Sequence, residues 1–65
     1  MQINKLRETR MELGLSQVRL AQLVGLSNGM ISDFELGKRQ VWPKARKALA
    51  EALRIPETEL FPEAQ

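Results

Sequence analysis

With no cysteine and no histidine among 65 residues, the chain has no thiolate nucleophile, none of the usual zinc ligands and no imidazole for proton transfer, so an enzyme is not expected. What remains chemically distinctive is a group of hydrogen-bonding side chains between Gln17 and Arg39. Asn28 and Ser32 are one helical turn apart, as are Gly29 and Asp33, so any helix through them presents all four on one face, opposite Ile31 and Phe34. That face suits the edges of base pairs. An asparagine makes a bidentate pair with adenine, a serine donates or accepts, and an aspartate accepts from the cytosine N4 amino group. Asp33 has a second reading as an outward carboxylate paired with Lys38 or Arg39. Gly29 is read either as a gap that lets the helix approach a duplex closely or as a tolerated defect, which costs roughly 0.8–1.0 kcal/mol relative to alanine.

Charge supports the same partner. Residues 1–47 carry a net +5 and residues 48–65 a net −3, although the whole chain is only +2. Lys38, Arg39, Lys44, Arg46 and Lys47 fall within ten residues that contain no acid, directly after the polar face, where phosphates would pass. Gln17 opens the preceding helical segment, where exposed backbone N–H groups and a carboxamide can both donate to a phosphate oxygen; the alternative is an ordinary polar first-turn residue. Met30 is either a partial core residue or an apolar contact to a thymine methyl. Trp42 either packs beneath the basic loop or donates its indole N–H to a phosphate.

The elements that must hold these groups are short helices. Ile3, Leu6, Arg10 and Leu13 draw one stripe on a first helix that stops at Gly14. Ser16 caps a second helix through about Val24, Gly25 supplies a sharp turn, and Ser27 caps a third from Asn28 to about Leu36, stopped by Gly37. Residues 17–36 therefore form a helix-turn-helix, whose second helix projects into a major groove. Pro43 suits the first turn of a fourth helix with Ala45, Ala48, Leu49, Ala52 and Leu53 on its apolar face. After Pro56, Glu57–Phe61 form a last turn that tucks Leu60 and Phe61 inward, ahead of a frayed tail over residues 62–65. The expected core is Ile3, Leu6, Leu13, Leu20, Ala21, Val24, Ile31, Phe34, Leu49, Leu53, Ile55 and Leu60, a small set that dimerisation could supplement. One all-α domain spans residues 1–65, with no strand-like alternation and no internal repeat.

The segments LRETRMELGLSQ (Leu6 to Gln17), LAQLVGLS (Leu20 to Ser27), ISDFELGKR (Ile31 to Arg39) and LAEALRIPETELF (Leu49 to Phe61) together resemble the phage-repressor and Cro type of helix-turn-helix domain, the XRE family. The resemblance covers nearly the whole chain and implies a compact five-helix lambda-repressor-like fold that binds operator DNA, usually as a two-fold dimer, and regulates transcription. Three positions depart from the pattern: Val41 stands where proline is frequent, Arg54 where a helix-ending glycine is common, and Asp33 where an uncharged or basic residue is usual. The expected DNA-facing set is Gln17, Ser27, Asn28, Gly29, Ser32, Asp33, Lys38, Arg39 and Lys44.

Arg10 interrupts an apolar stripe, and Glu35 sits at the C-terminal end of the third helix, where the macrodipole disfavours an anion. Neither has a local partner. They are expected to pair with each other in a largely buried bridge, as the resembled family often shows. Function is thus read as sequence-specific binding of double-stranded DNA by a dimeric repressor that needs no cofactor and no metal. The alternative is a protein-interaction module, such as an antitoxin facing a toxin or a regulatory subunit, using the fourth helix or the acidic end. Docking on an anionic membrane is disfavoured by an alanine-rich fourth helix. The absence of a charged-then-apolar leader and of a run of about 18 apolar residues reads as a soluble, cytoplasmic chain.

Overall fold

A computed structural model describes residues 4–62. Five helices follow one another: α1 (Leu6–Glu12), α2 (Gln17–Val24), α3 (Asn28–Leu36), α4 (Pro43–Leu53) and α5 (Glu57–Leu60). The starts of α2 and α3 are set by side-chain caps. The Arg19 backbone N–H donates to Ser16 Oγ at 3.0 Å and the Met30 N–H to Ser27 Oγ at 3.1 Å, each satisfying one of the donors that a helix N-terminus leaves unpaired. Helix α4 starts differently, with Pro43 in its first turn and Trp42 at the cap position making no side-chain cap bond.

One chain reversal recurs after α1, α2, α3 and α4. The N–H of the residue beyond a left-handed position reaches back five residues, from Leu15 to Arg10 O (3.0 Å), Leu26 to Ala21 O (2.9 Å), Lys38 to Asp33 O (2.9 Å) and Ile55 to Ala50 O (3.1 Å). This is the Schellman closure. Glycine takes the left-handed position three times, and at Gly25, with φ of 71°, it makes the sharp turn of the helix-turn-helix. At the fourth position Arg54 adopts φ 59° and ψ 44° despite its Cβ.

Leu6, Leu20, Ala21, Ile31, Phe34, Ala45, Leu49, Ala50, Leu53, Leu60 and Phe61 form one buried cluster, with Leu15, Val24, Leu26, Met30, Val41, Ala52 and Ile55 packed around it. Ala21 is only 4% exposed where α2 meets α3; a larger side chain there would separate the two helices. Several expectations are corrected. Leu13 is 54% exposed, because α1 ends at Glu12 and the reversal at Gly14 carries the chain inward only at Leu15. Val24 and Ile55 are partly rather than fully buried. On α4 the buried alanines are Ala45 and Ala50, whereas Ala48 and Ala52 lie at the margin; a helix this rich in alanine presents more than one apolar stripe, and packing against both α2 and α5 selects among them. Helix α5 stops at Leu60, with Phe61 beyond it yet 2% exposed. The expected core residue Ile3 and the expected fraying of residues 63–65 lie outside the described residues.

Asn4 ties the start of the fold to its centre. Its Oδ1 accepts from the Leu6 N–H at 2.9 Å and its Nδ2 donates to Phe34 O at 3.2 Å, so one side chain serves an orphan donor of α1 and a carbonyl near the end of α3. The Lys5 N–H donates to Leu60 O at 3.0 Å and brings α5 to the same place.

The left-handed Arg54 defines a stability test. Replacing it with glycine removes a Cβ clash worth about 1 kcal/mol. Thermal unfolding followed by circular dichroism is expected to show the Arg54→Gly melting temperature raised by up to about 4–8 °C; an unchanged or lower value would mean that the strain relieved does not exceed the freedom glycine adds to the unfolded chain.

Candidate nucleic-acid interface

Helix α3 turns Ile31 and Phe34 into the core, both 0% exposed, which leaves Ser27, Asn28 and Gly29 exposed and Ser32 and Asp33 half-buried on the other side. All five therefore share one outward ridge that starts at a capped helix N-terminus, where unpaired backbone N–H groups add donors. A Cβ at Gly29 would meet only Ser27 Oγ, at 4.0 Å. Nothing in the protein itself requires a glycine at that point. Met30 is half-buried against the core.

Beyond α3 the chain carries Lys38 and Arg39, both exposed, and Lys44 lies exposed in the first turn of α4. Arg39 Nε stands 3.6 Å from Asp33 Oδ2, with the side chains 50% and 36% exposed, so the loop cation lies beside the reading face. In water an exposed pair of that kind adds little stability. It does place a cation against the one carboxylate on that face. Trp42 packs edge-on to Phe34, with ring centroids 5.4 Å apart and an interplanar angle of 74°, the arrangement that aromatic quadrupoles favour. The loop is thereby fastened to the core beneath α3.

Arg46 leaves the basic run. Its Nη1 donates to Val41 O at 2.8 Å, and its Nε lies 3.7 Å from Glu57 Oε1, so this arginine shapes the loop before α4 rather than adding to the exposed cations. Sequence gave no sign of that role, since the partners are a loop carbonyl and a residue of α5.

Behind the ridge lies the ion pair. Arg10 Nε donates to Glu35 Oε2 at 2.6 Å and Nη2 to Oε1 at 3.3 Å, a fork-to-carboxylate contact, while Nη1 donates to Leu15 O at 2.7 Å. The side chains are 11% and 3% exposed. Gln17, placed by sequence at a phosphate, also turns toward this pair and donates through Nε2 to Glu35 Oε1 at 3.1 Å. Among the described residues no buried side-chain nitrogen or oxygen lacks a hydrogen bond, which is the condition under which a buried charge pair is tolerable.

A capped, outward helix with polar ridge and flanking lysines, set across a glycine turn from a supporting helix, defines a helix-turn-helix DNA-binding domain. The helix-turn-helix family model matches residues 6–60; the chain belongs to this family, of the Cro/C1 or XRE type, and is a DNA-binding transcriptional regulator. Among solved structures, the restriction-modification controller protein C.AhdI from Aeromonas hydrophila is similar with a TM-score of 0.83 and 44% identity, over 88% of this chain and 86% of that one. No curated protein sequence shows significant similarity. Among the described residues no helix is long and apolar enough to cross a membrane.

Removing one member of the ion pair should expose its worth. Glu35→Ala strands a buried guanidinium and is expected to cost about 3–5 kcal/mol in urea unfolding, while an Arg10→Met, Glu35→Leu double variant of similar volume stays near the parent. A Glu35→Ala protein as stable as the parent would show that the pair does not hold the fold.

Proposed function

We propose that the chain binds a palindromic operator as a homodimer, with two α3 helices in successive major grooves, and represses transcription in the cytoplasm by occupancy rather than by catalysis. The single observation that carries this reading is the outward ridge of α3, polar along its length and backed by fully buried Ile31 and Phe34. Asn28 addresses adenine, Ser32 an adjacent base edge, and Asp33 a cytosine amino group or, through its pairing with Arg39, no base at all. Ser27 and Gly29 bring the helix start against the backbone. Lys38, Arg39 and Lys44 take phosphates on the flank, and Gln17 takes one at the start of α2. The 44% identity with a restriction-modification controller protein favours genes of that kind as the target.

Selection of bound sequences from a random duplex pool tests the proposal. It is expected to return an inverted repeat with half-site centres one duplex turn, roughly 34 Å, apart. An asymmetric or absent consensus would refute the dimeric operator reading. With the selected duplex, Asn28→Ala should lose about 1–3 kcal/mol of discrimination at one base pair in each half-site, with binding to random duplex unchanged. In mobility shifts at several salt concentrations, alanine at Lys38, Arg39 or Lys44 should lower the log–log slope by about 0.9 for each phosphate contact removed. A slope that is already flat in the parent would point to a protein partner, such as a toxin, in place of DNA.

A further inference from the structure

We propose that Glu35 is a positioning residue for DNA binding, and that it acts through Gln17. The inference rests on the DNA reading above and concerns how the phosphate contact at the start of α2 is prepared. Three donors converge on one carboxylate: Arg10 Nε on Oε2, and Arg10 Nη2 and Gln17 Nε2 on Oε1. The Glu35 side chain is 3% exposed, so its position is set by α3 and by the guanidinium, not by solvent.

A primary amide has two N–H groups. Glu35 takes one from Gln17, which fixes both the rotamer and the rotation of the amide plane. Gln17 itself is half-buried in the first turn of α2, beside the exposed backbone donors of that helix start, so the second N–H is left for a phosphate oxygen. Because the side chain is ordered before DNA arrives, its rotamer entropy is not lost on binding. The acceptor is a full carboxylate, so the bond is charge-assisted and holds the amide more firmly than a neutral oxygen would.

One geometric consequence follows. Glu35 belongs to the reading helix α3, Arg10 to α1, and Gln17 to α2. The phosphate contact is therefore registered against the same group that anchors the base-reading ridge. A shift of α3 would move both together.

A double-mutant cycle on the selected operator duplex tests this. Gln17→Ala is expected to weaken binding about tenfold in the parent background, as for a lost hydrogen bond to a charged group. The salt slope should not change, since a neutral amide releases no counterion. In the Arg10→Met, Glu35→Leu background, where the amide has lost its acceptor, affinity should already be reduced, and adding Gln17→Ala should then change it less than about twofold. An equal effect of Gln17→Ala in both backgrounds, or none in the parent, overturns the proposal. If the parent protein binds no duplex, the DNA reading itself falls and takes this inference with it.

Should the double variant fail to fold, the parent protein supplies the readout by NMR. Of the two Gln17 amide protons, the one held by Glu35 is expected to exchange slowly with water in the free protein and to keep its shift when the duplex is added, while the other shifts on its addition. Two protons that both exchange rapidly with water in the free protein, or that respond alike to the duplex, overturn the proposal.

Discussion

A carboxylate 3% exposed and a guanidinium 11% exposed cannot both leave water unless each hydrogen-bonding position is met, and meeting them dictates where α1, α2 and α3 lie. Arg10 spends its donors on Glu35 and on the Leu15 carbonyl, and Glu35 receives Gln17 as well. The desolvation of two ions is a large opposing term, and their mutual attraction offsets it only in such a closed network. Buried pairs of this kind generally add little net stability over an apolar replacement of similar volume. What it does link is three helices, since a displaced α3 would leave the Arg10 charge without its partner.

Apolar burial does the rest with few side chains. Domains of this length bury a modest fraction of their surface, and here the cluster draws one to four residues from each element: Leu6 from α1, Leu20 and Ala21 from α2, Ile31 and Phe34 from α3, four residues from α4, and Leu60 with Phe61 at the end. The recurrent left-handed reversal lets helices of seven to eleven residues turn back tightly enough for those contributions to meet. Arg54 shows that the geometry is demanded by the fold, for it persists where the residue resists it.

The reading ridge follows from this scaffold. Its inward side is apolar and fixed, and its outward side is polar, with Ser27 engaged as the helix cap and Asp33 beside Arg39. Trp42 on Phe34 fastens the basic loop to the same helix. Rigid support behind a recognition surface limits the freedom lost when a partner binds, and the Gln17–Glu35 contact extends that economy to the first turn of α2.

Helix order, the caps at Ser16 and Ser27, the turn at Gly25, the outward face of α3 and even the pairing of Arg10 with Glu35 were legible in the chain, because each is written in local spacing, in a residue with a strong backbone preference, or in a charge stranded on the wrong face. Other features were decided only by assembly. Leu13 lies outside because the helix stops one residue short of it, Ala50 rather than Ala48 is buried because α4 packs against both α2 and α5, and Arg46 and Gln17 turn inward because a loop carbonyl and a carboxylate of another helix lie within reach. Periodicity specifies which side of one helix is apolar. It carries no information about the distance between two helices, and hydrogen bonds that decide the fate of a polar side chain act over about 3 Å.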